Sequence, residues 1–295
     1  MYLRLMYLSS LINIILSFNI TDYLYRYEYF DQSETTTTKL ESALIKFQEF
    51  YNLQVDGTLN NDTIELMSRP RCGVSENPSE FYTYGNKWTK NQLFWYFAMA
   101  DATMLKIANR VFDIWQNYTN LNFIYSIKNP DIIISFSDNI FVHKNNPRCM
   151  KGECLFPFDG KSGVLAHAFA PRQNKCIEIH LDKGEDWYIG FNKTPLAQTS
   201  LFKVLLHEVG HTLGIKHSSD PTSIMYAFYS ENTDHLSKDD IEAIQYLYGK
   251  RKESSTTNTS TTTPASTTPA TNTTNETNKT KEIKLDLCDI WTNKF

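Results

Sequence analysis

Between Phe202 and His217 the chain reads Phe-Lys-Val-Leu-Leu-His-Glu-Val-Gly-His-Thr-Leu-Gly-Ile-Lys-His. The apolar spacing predicts a helix over 202–213, stopped by Gly214. Residues four apart share a helix face, so His207 and His211 can grip one ion together. Gly214 turns the chain and lets His217 return as a third ligand. Three neutral imidazoles leave zinc a fourth position open to water, the arrangement of a catalytic site. Glu208 is displaced around the helix, where it can reach a zinc-bound water without holding the metal. In such chemistry zinc lowers the pKa of its water toward about 7, and a carboxylate is the general base that passes the proton on to the leaving amine. Ordinary histidines are the competing reading. A bare His-Glu-x-x-His arises by chance in roughly one chain in a hundred, and the added glycine and third histidine make coincidence about a thousandfold rarer.

The rest of the chain sets the context. Its 295 residues are 41% hydrophobic with a net charge of −4, enough to bury a core and without the basic excess of a nucleic-acid partner. Leu3 to Phe18 is largely apolar, with Arg4 its one charge. That run is short for a membrane span and sits where a secretory signal peptide belongs, so a signal over 1–19 is expected, with a membrane anchor as the alternative. A secreted chain without a stable anchor follows. Five cysteines are present: Cys72, Cys149, Cys154, Cys176 and Cys288. An odd count leaves at least one without an intrachain partner; if that is Cys72, the other four allow three pairings.

Composition divides the chain further. Residues 20–80 read as a small helical unit, with Leu40, Leu44, Phe47 and Phe50 at helical spacing, a turn at Asp56-Gly57 and a short helix from Thr63 to Met67. Residues 81–250 form the main domain. Strands are expected at 92–97, 131–136, 163–170 and 176–181, and helices at 103–115 and 236–248, the last capped by Ser237 and ended by Gly249. Residues 251–282 are rich in Thr, Ser, Asn and Pro and read as a linker. Sequons at Asn61, Asn117, Asn192, Asn258, Asn272, Asn275 and Asn278 are glycosylation candidates. Residues 283–295 are a tail too short to fold alone.

With Met225 following in Ser-Ile-Met-Tyr as a Met-turn, the segment His207 to Tyr226 resembles the metzincins, and Ser218 after the third histidine resembles the matrix metalloproteinases in particular. The resemblance implies an α/β (α+β) fold: a metzincin catalytic domain with a twisted five-stranded mixed sheet and three helices, preceded by a small helical propeptide like a peptidoglycan-binding unit. It implies a secreted zinc endopeptidase acting on extracellular matrix proteins, collagen among them. Substrates would lie antiparallel to the strand around Val164–Phe169, which includes Ala166. Proteinaceous metalloproteinase inhibitors are the implied partners, and a monomer is expected. Pro70-Arg-Cys-Gly-Val74 resembles the family's cysteine switch, in which Cys72 fills the open zinc position of the latent form. Ser75-Glu76 stands where Pro-Asp is usual. No furin site lies between Cys72 and Trp88, so cleavage near Glu80–Tyr82 by another protease, or autolysis, is expected; the new terminus would then pair with Asp239.

By the same resemblance Asp159, Gly160, Ser162, Val164, Asp182 and Glu185 form a calcium loop, and Asp131 and Glu178 align with a second calcium site. His167 and His180 stand where a structural zinc is bound, but the usual His-x-Asp ligands read Gly152 and Cys154. Either Cys154 ligates, with His143 or Cys149, or it pairs with Cys149 or Cys176 and the zinc is lost. Lys203 and Ala227 border the expected S1′ pocket; Lys203 either shortens or polarises it, or snorkels to solvent. Cys288-Asp-Ile-Trp291 resembles the start of a hemopexin-like domain. A non-catalytic secreted binding protein of the same fold is the alternative function, opposed by the intact Glu208.

Overall fold

The computed structural model describes residues 20–30, 36–76, 83, 85–137, 158–172 and 175–251. The expected signal run, linker and tail lie outside these residues, as do His143, Cys149, Gly152, Cys154, Cys288 and the cleavage region at Glu80–Tyr82.

Three helices come first: α1 (Ile20–Arg26), α2 (Thr36–Phe50) and α3 (Asn61–Met67). The α2–α3 turn is built around buried Gln48, whose Oε1 accepts from the amides of Asp56 and Gly57 and whose Nε2 donates to Asp56, Thr58 and Thr63. Asn60 then caps α3 by accepting from the Thr63 amide. The helices bury Leu24, Leu44, Phe47, Tyr51 and Leu66 in a cluster that also takes in Ala227 and Phe228 from far along the chain. The sequence reading placed α2 and α3 but not α1.

Next come β1 (Arg71–Cys72), β2 (Gln92–Phe97), α4 (Ala102–Tyr118), β3 (Asn122–Tyr125), β4 (Ile132–Ser137), β5 (Val164–Ala168) and β6 (Ile177–Asp182). The short pair β7 (Trp187–Tyr188) and β8 (Thr199–Ser200) leads into α5 (Leu201–Thr212), and α6 (Lys238–Tyr248) closes the domain. One sheet runs β1-β5-β6-β4-β2-β3. The expected five-stranded mixed sheet is there as β5-β6-β4-β2-β3, with β5 antiparallel to β6 and the other pairs parallel. The sixth strand, β1, comes from the segment after the helical unit and pairs parallel with the edge strand β5. Two-residue strands such as β1 carry no period, so the sequence could not announce them.

The chemistry of each element fits its place. Ile132 to Ser137 is an almost wholly buried central strand, hence its β-branched run at Ile132–Ile134. Asp101 caps α4, accepting from the Thr103 and Met104 amides. Buried Trp115 on α4 donates its indole N–H to the Leu206 carbonyl, tying α4 to α5. Eleven of the twelve residues of α5 are buried, all but Lys203, so this helix runs through the core against β5 and β6. Among the described residues no helix is long and apolar enough to cross a membrane.

Candidate metal centre

Helix α5 carries His207 and His211 on one face, and the turn at Gly214 brings His217 back to them. Gly214 has φ +95°, and a side chain there would meet the Asn86 carbonyl at 2.5 Å, so the turn takes glycine. The Nε2 atoms of the three rings converge: His211 lies 3.0 Å from His207 and 3.1 Å from His217. The other nitrogen of each ring faces an acceptor. Nδ1 of His207 is 2.7 Å from the Ile224 carbonyl, that of His211 2.8 Å from the Ile215 carbonyl, and that of His217 3.1 Å from Glu76 Oε1. Facing acceptors, these nitrogens are assigned the ring protons.

Burial keeps the rings neutral: it pushes His207 down to about 4 and holds His211 and His217 well below the usual histidine range. Each Nε2 therefore presents a lone pair, and three lone pairs about 3 Å apart repel unless a cation sits among them. Three imidazoles suit zinc. Cys72 lies on the fourth side, with Sγ 3.5 Å from His211 Nε2. The ligand atoms of Cys72, His207, His211 and His217 all lie within 4.8 Å of one another, and all four residues are buried.

Glu208 is 1% exposed, and its Oε2 has no hydrogen-bond partner among the described residues. Burial pushes its carboxyl up to about 8, against a hydrogen bond with Cys72 that lowers it. Burial, and next the charge of Glu208, push the Cys72 thiol far above the ordinary range. A divalent cation at the cluster pulls both downward. Met225 packs beneath the site, and buried Asp240 holds its turn by accepting from Ser223 Oγ and the Ile224 and Met225 amides. Sequence reading singled out Asp239, which is half-buried, and missed Asp240 beside it. The capping box of α6, where Asp240 accepts from the Ser237 amide, was the available signal.

The segment around Cys72 lies between two backbones. Arg71 and Gly73 donate their amides to the Gly163 and Ala166 carbonyls, each at 2.7 Å. On the other side the Cys72 amide donates to Ala227 O, and the Tyr229 amide to Pro70 O, each at 2.9 Å. Arg71 is buried, pairs with Glu76, donates to the Tyr23 hydroxyl and lies 3.4 Å above the centre of the Tyr27 ring. Beside the cluster is a pocket lined by Leu165, Val204, His207, Glu208 and Thr233, with Lys203 and Ala227 also on its wall. Lys203 is partly buried and bonded to the more exposed Glu231. Its Nζ lies 2.8 Å from Glu231 Oε2 and also donates to the Glu231 carbonyl, while the Tyr229 hydroxyl donates to the same carboxylate. Nothing in the sequence pointed to Glu231.

The matrixin family model matches residues 87–249, and the model of a putative peptidoglycan binding domain matches residues 19–67. Human matrilysin is 34% identical over 244 residues, covering 79% of this chain and 85% of the relative. The chain belongs to the matrixin family. Matrix metalloproteinase-18 of Xenopus laevis is 39% identical over 72% of this chain and 44% of its own length. Human matrix metalloproteinase-20 is 35% identical over 70% of this chain and 42% of its own length. This matrixin thus spans less than half the length of the latter two. Matrixins are zinc metalloendopeptidases that also use calcium, and the His/Cys cluster is this matrixin's group of residues able to hold a metal.

Among the described residues, the remaining expected metal residues of this matrixin lie around one turn and along the sheet. Around the turn before β5, Asp159 accepts from the Val164 amide, Asp182 from the Gly160 and Gly184 amides, and Glu185 from the Ser162 amide. Burial raises the Glu185 carboxyl, and the charges of Asp182 and Asp159 add to it, so the three acids share one neighbourhood. On the sheet, His167 Nε2 lies 3.0 Å from His180 Nδ1, and His180 Nε2 lies 2.7 Å from Glu178 Oε2. Burial, then His180, pushes His167 down to about 3. Asp131 accepts from Lys90 and from the Phe94 amide.

Proposed function

We propose that this matrixin is made as a secreted, latent precursor and, once its pro-segment is removed, hydrolyses peptide bonds in extracellular matrix proteins. One observation carries this reading: Cys72 completes a buried cluster with His207, His211 and His217, and Glu208 lies beside it with its Oε2 unpartnered among the described residues. His207, His211 and His217 would hold zinc, which when bound would supply a Lewis acid for the scissile carbonyl and for water. Glu208 takes a proton from the attacking water and delivers it to the leaving amine. The pro-segment, hydrogen-bonded to Gly163 and Ala166 on one side and to Ala227 and Tyr229 on the other, occupies the groove an extended substrate needs. Residues 20–80 are then the propeptide and 81–250 the catalytic domain.

Substrate side chains enter the pocket beside Glu208, whose far wall is made polar by Lys203 and its tether to Glu231. Asp159, Asp182 and Glu185, with carbonyls of the Gly160–Val164 turn, hold calcium; Asp131 and Glu178 are the weaker second candidate. His167 and His180 hold a second zinc, with His180 oriented by Glu178. Its other ligands, Cys154 among them, would come from outside the described residues. Cys176 is disulfide-bonded, which supports a cystine near that loop. The apolar run at 3–18 supports secretion, and exposed Asn192 is a site for glycan. Proteinaceous metalloproteinase inhibitors are the expected partners of the mature enzyme, which acts as a monomer.

The test is hydrolysis of a fluorogenic peptide before and after mercurial or protease treatment, with and without a zinc chelator. Activity that rises on treatment and vanishes with zinc removal is expected. Absence of zinc-dependent turnover in the processed chain overturns the proposal in favour of a binding protein of the same fold.

A further inference from the structure

Two of the three converging imidazoles are held from behind by partners that belong to the main domain. His207 donates to the Ile224 carbonyl and His211 to the Ile215 carbonyl. The third is different. His217 Nδ1 faces Glu76 Oε1 at 3.1 Å, and Glu76 lies four residues beyond Cys72, on the segment that fills the groove. Both side chains are fully buried. Glu76 is fixed there by its pair with Arg71, itself caged by Tyr23, Tyr27 and Phe228.

We propose that Glu76 is a removable positioning residue for the metal centre. In the latent chain it accepts the Nδ1 proton of His217 and fixes that ring with Nε2 toward the ion, so the pro-segment grips the site at two points: Cys72 from the front and Glu76 through His217 from behind. A carboxylate behind a ligating imidazole fixes its tautomer and raises its basicity, and losing such a partner costs about 10–100-fold in metal affinity. Departure of the pro-segment leaves His207 and His211 with their carbonyls and takes the carboxylate from His217. The latent chain therefore holds its metal more tightly than the fourth ligand alone accounts for. The extra methylene of a glutamate, where an aspartate is usual by the family resemblance, lengthens the side chain that makes this contact.

This inference rests on the zinc reading of the cluster. The test measures zinc loss from the full-length latent chain to excess chelator, in a Glu208→Gln background so that no chain processes itself. Glu76→Leu is compared with Glu76 in two settings, with Cys72 intact and with Cys72→Ser. Release about tenfold or more faster in both settings is expected, with Glu76→Gln between the extremes. If Glu76→Leu has no effect once Cys72 is serine, Glu76 merely seats the cysteine and the inference is overturned. A latent chain that takes up no zinc overturns the zinc reading and the inference together. Should the leucine variant not fold, the glutamine variant decides in ¹⁵N-histidine-labelled protein. An upfield move of the His217 Nδ1 proton is expected, and an unmoved resonance overturns the contact.

Discussion

Gly210 and Met225 touch so closely that a methyl group on Gly210 would sit 2.3 Å from the methionine sulfur and 3.0 Å from the Trp115 ring. The helix bearing two of the three histidines thus rests its backbone directly on the turn below the site. Gly210→Ala gains helix propensity but overpacks this contact, at a cost of about 1–3 kcal/mol. A melting temperature lower by about 2–4 °C per kcal/mol is expected in thermal unfolding of the full chain. An unchanged or raised value would show that the Met-turn yields easily.

A second glycine governs latency. A side chain on Gly73 would meet Val164 Cγ1 at 2.7 Å and the Ala166 carbonyl at 3.3 Å. That is the carbonyl that the Gly73 amide binds. Gly73→Ala should therefore lift the segment off β5, raising the labelling rate of Cys72 by a thiol reagent about tenfold, as about 1–2 kcal/mol of overpacking implies. Labelling no faster than in the wild type would refute the geometry.

Removing the base should separate chemistry from metal binding. Glu208→Gln is expected to keep its zinc, since the four ligand atoms are elsewhere, while kcat falls by about 10²–10⁴ after processing. Elemental analysis and single-substrate kinetics on one preparation check both halves. Zinc loss in this variant would make Glu208 a ligand.

The pocket wall offers a substrate test and a pH test. Lys203→Leu frees Glu231 and removes the cation, so P1′ profiling should shift toward larger apolar residues; an unchanged profile would place the Lys203–Glu231 pair outside substrate reach. Burial alone would raise the Glu231 carboxyl, but hydrogen bonds from Lys203 and Tyr229 outweigh it and hold it below the usual value. A carboxylate depressed in the fold stabilises above its unfolded pKa, near 4.5, and loses that contribution as pH falls through the folded value. Lys203→Leu should thus flatten the acid side of the stability profile. The step is small, because Glu231 is 47% exposed. A profile identical to the wild type below about pH 4.5 would count against the tether.

The sequence by itself determined the histidine triad, because two of its members lie one helical turn apart and the third follows a glycine turn; local geometry alone brings them together. It also determined the order of the longer strands and helices, whose periods are readable. Tertiary structure decided the rest. Cys72 reaches His211 across 139 residues of chain and Glu76 reaches His217 across 141, and no local period encodes such a meeting. The pairing of β1 with β5, the Arg71 cage and the Lys203–Glu231 tether are of the same kind. Each joins residues whose proximity is set by how separate elements of the fold pack, and packing depends on the whole core rather than on neighbours in sequence.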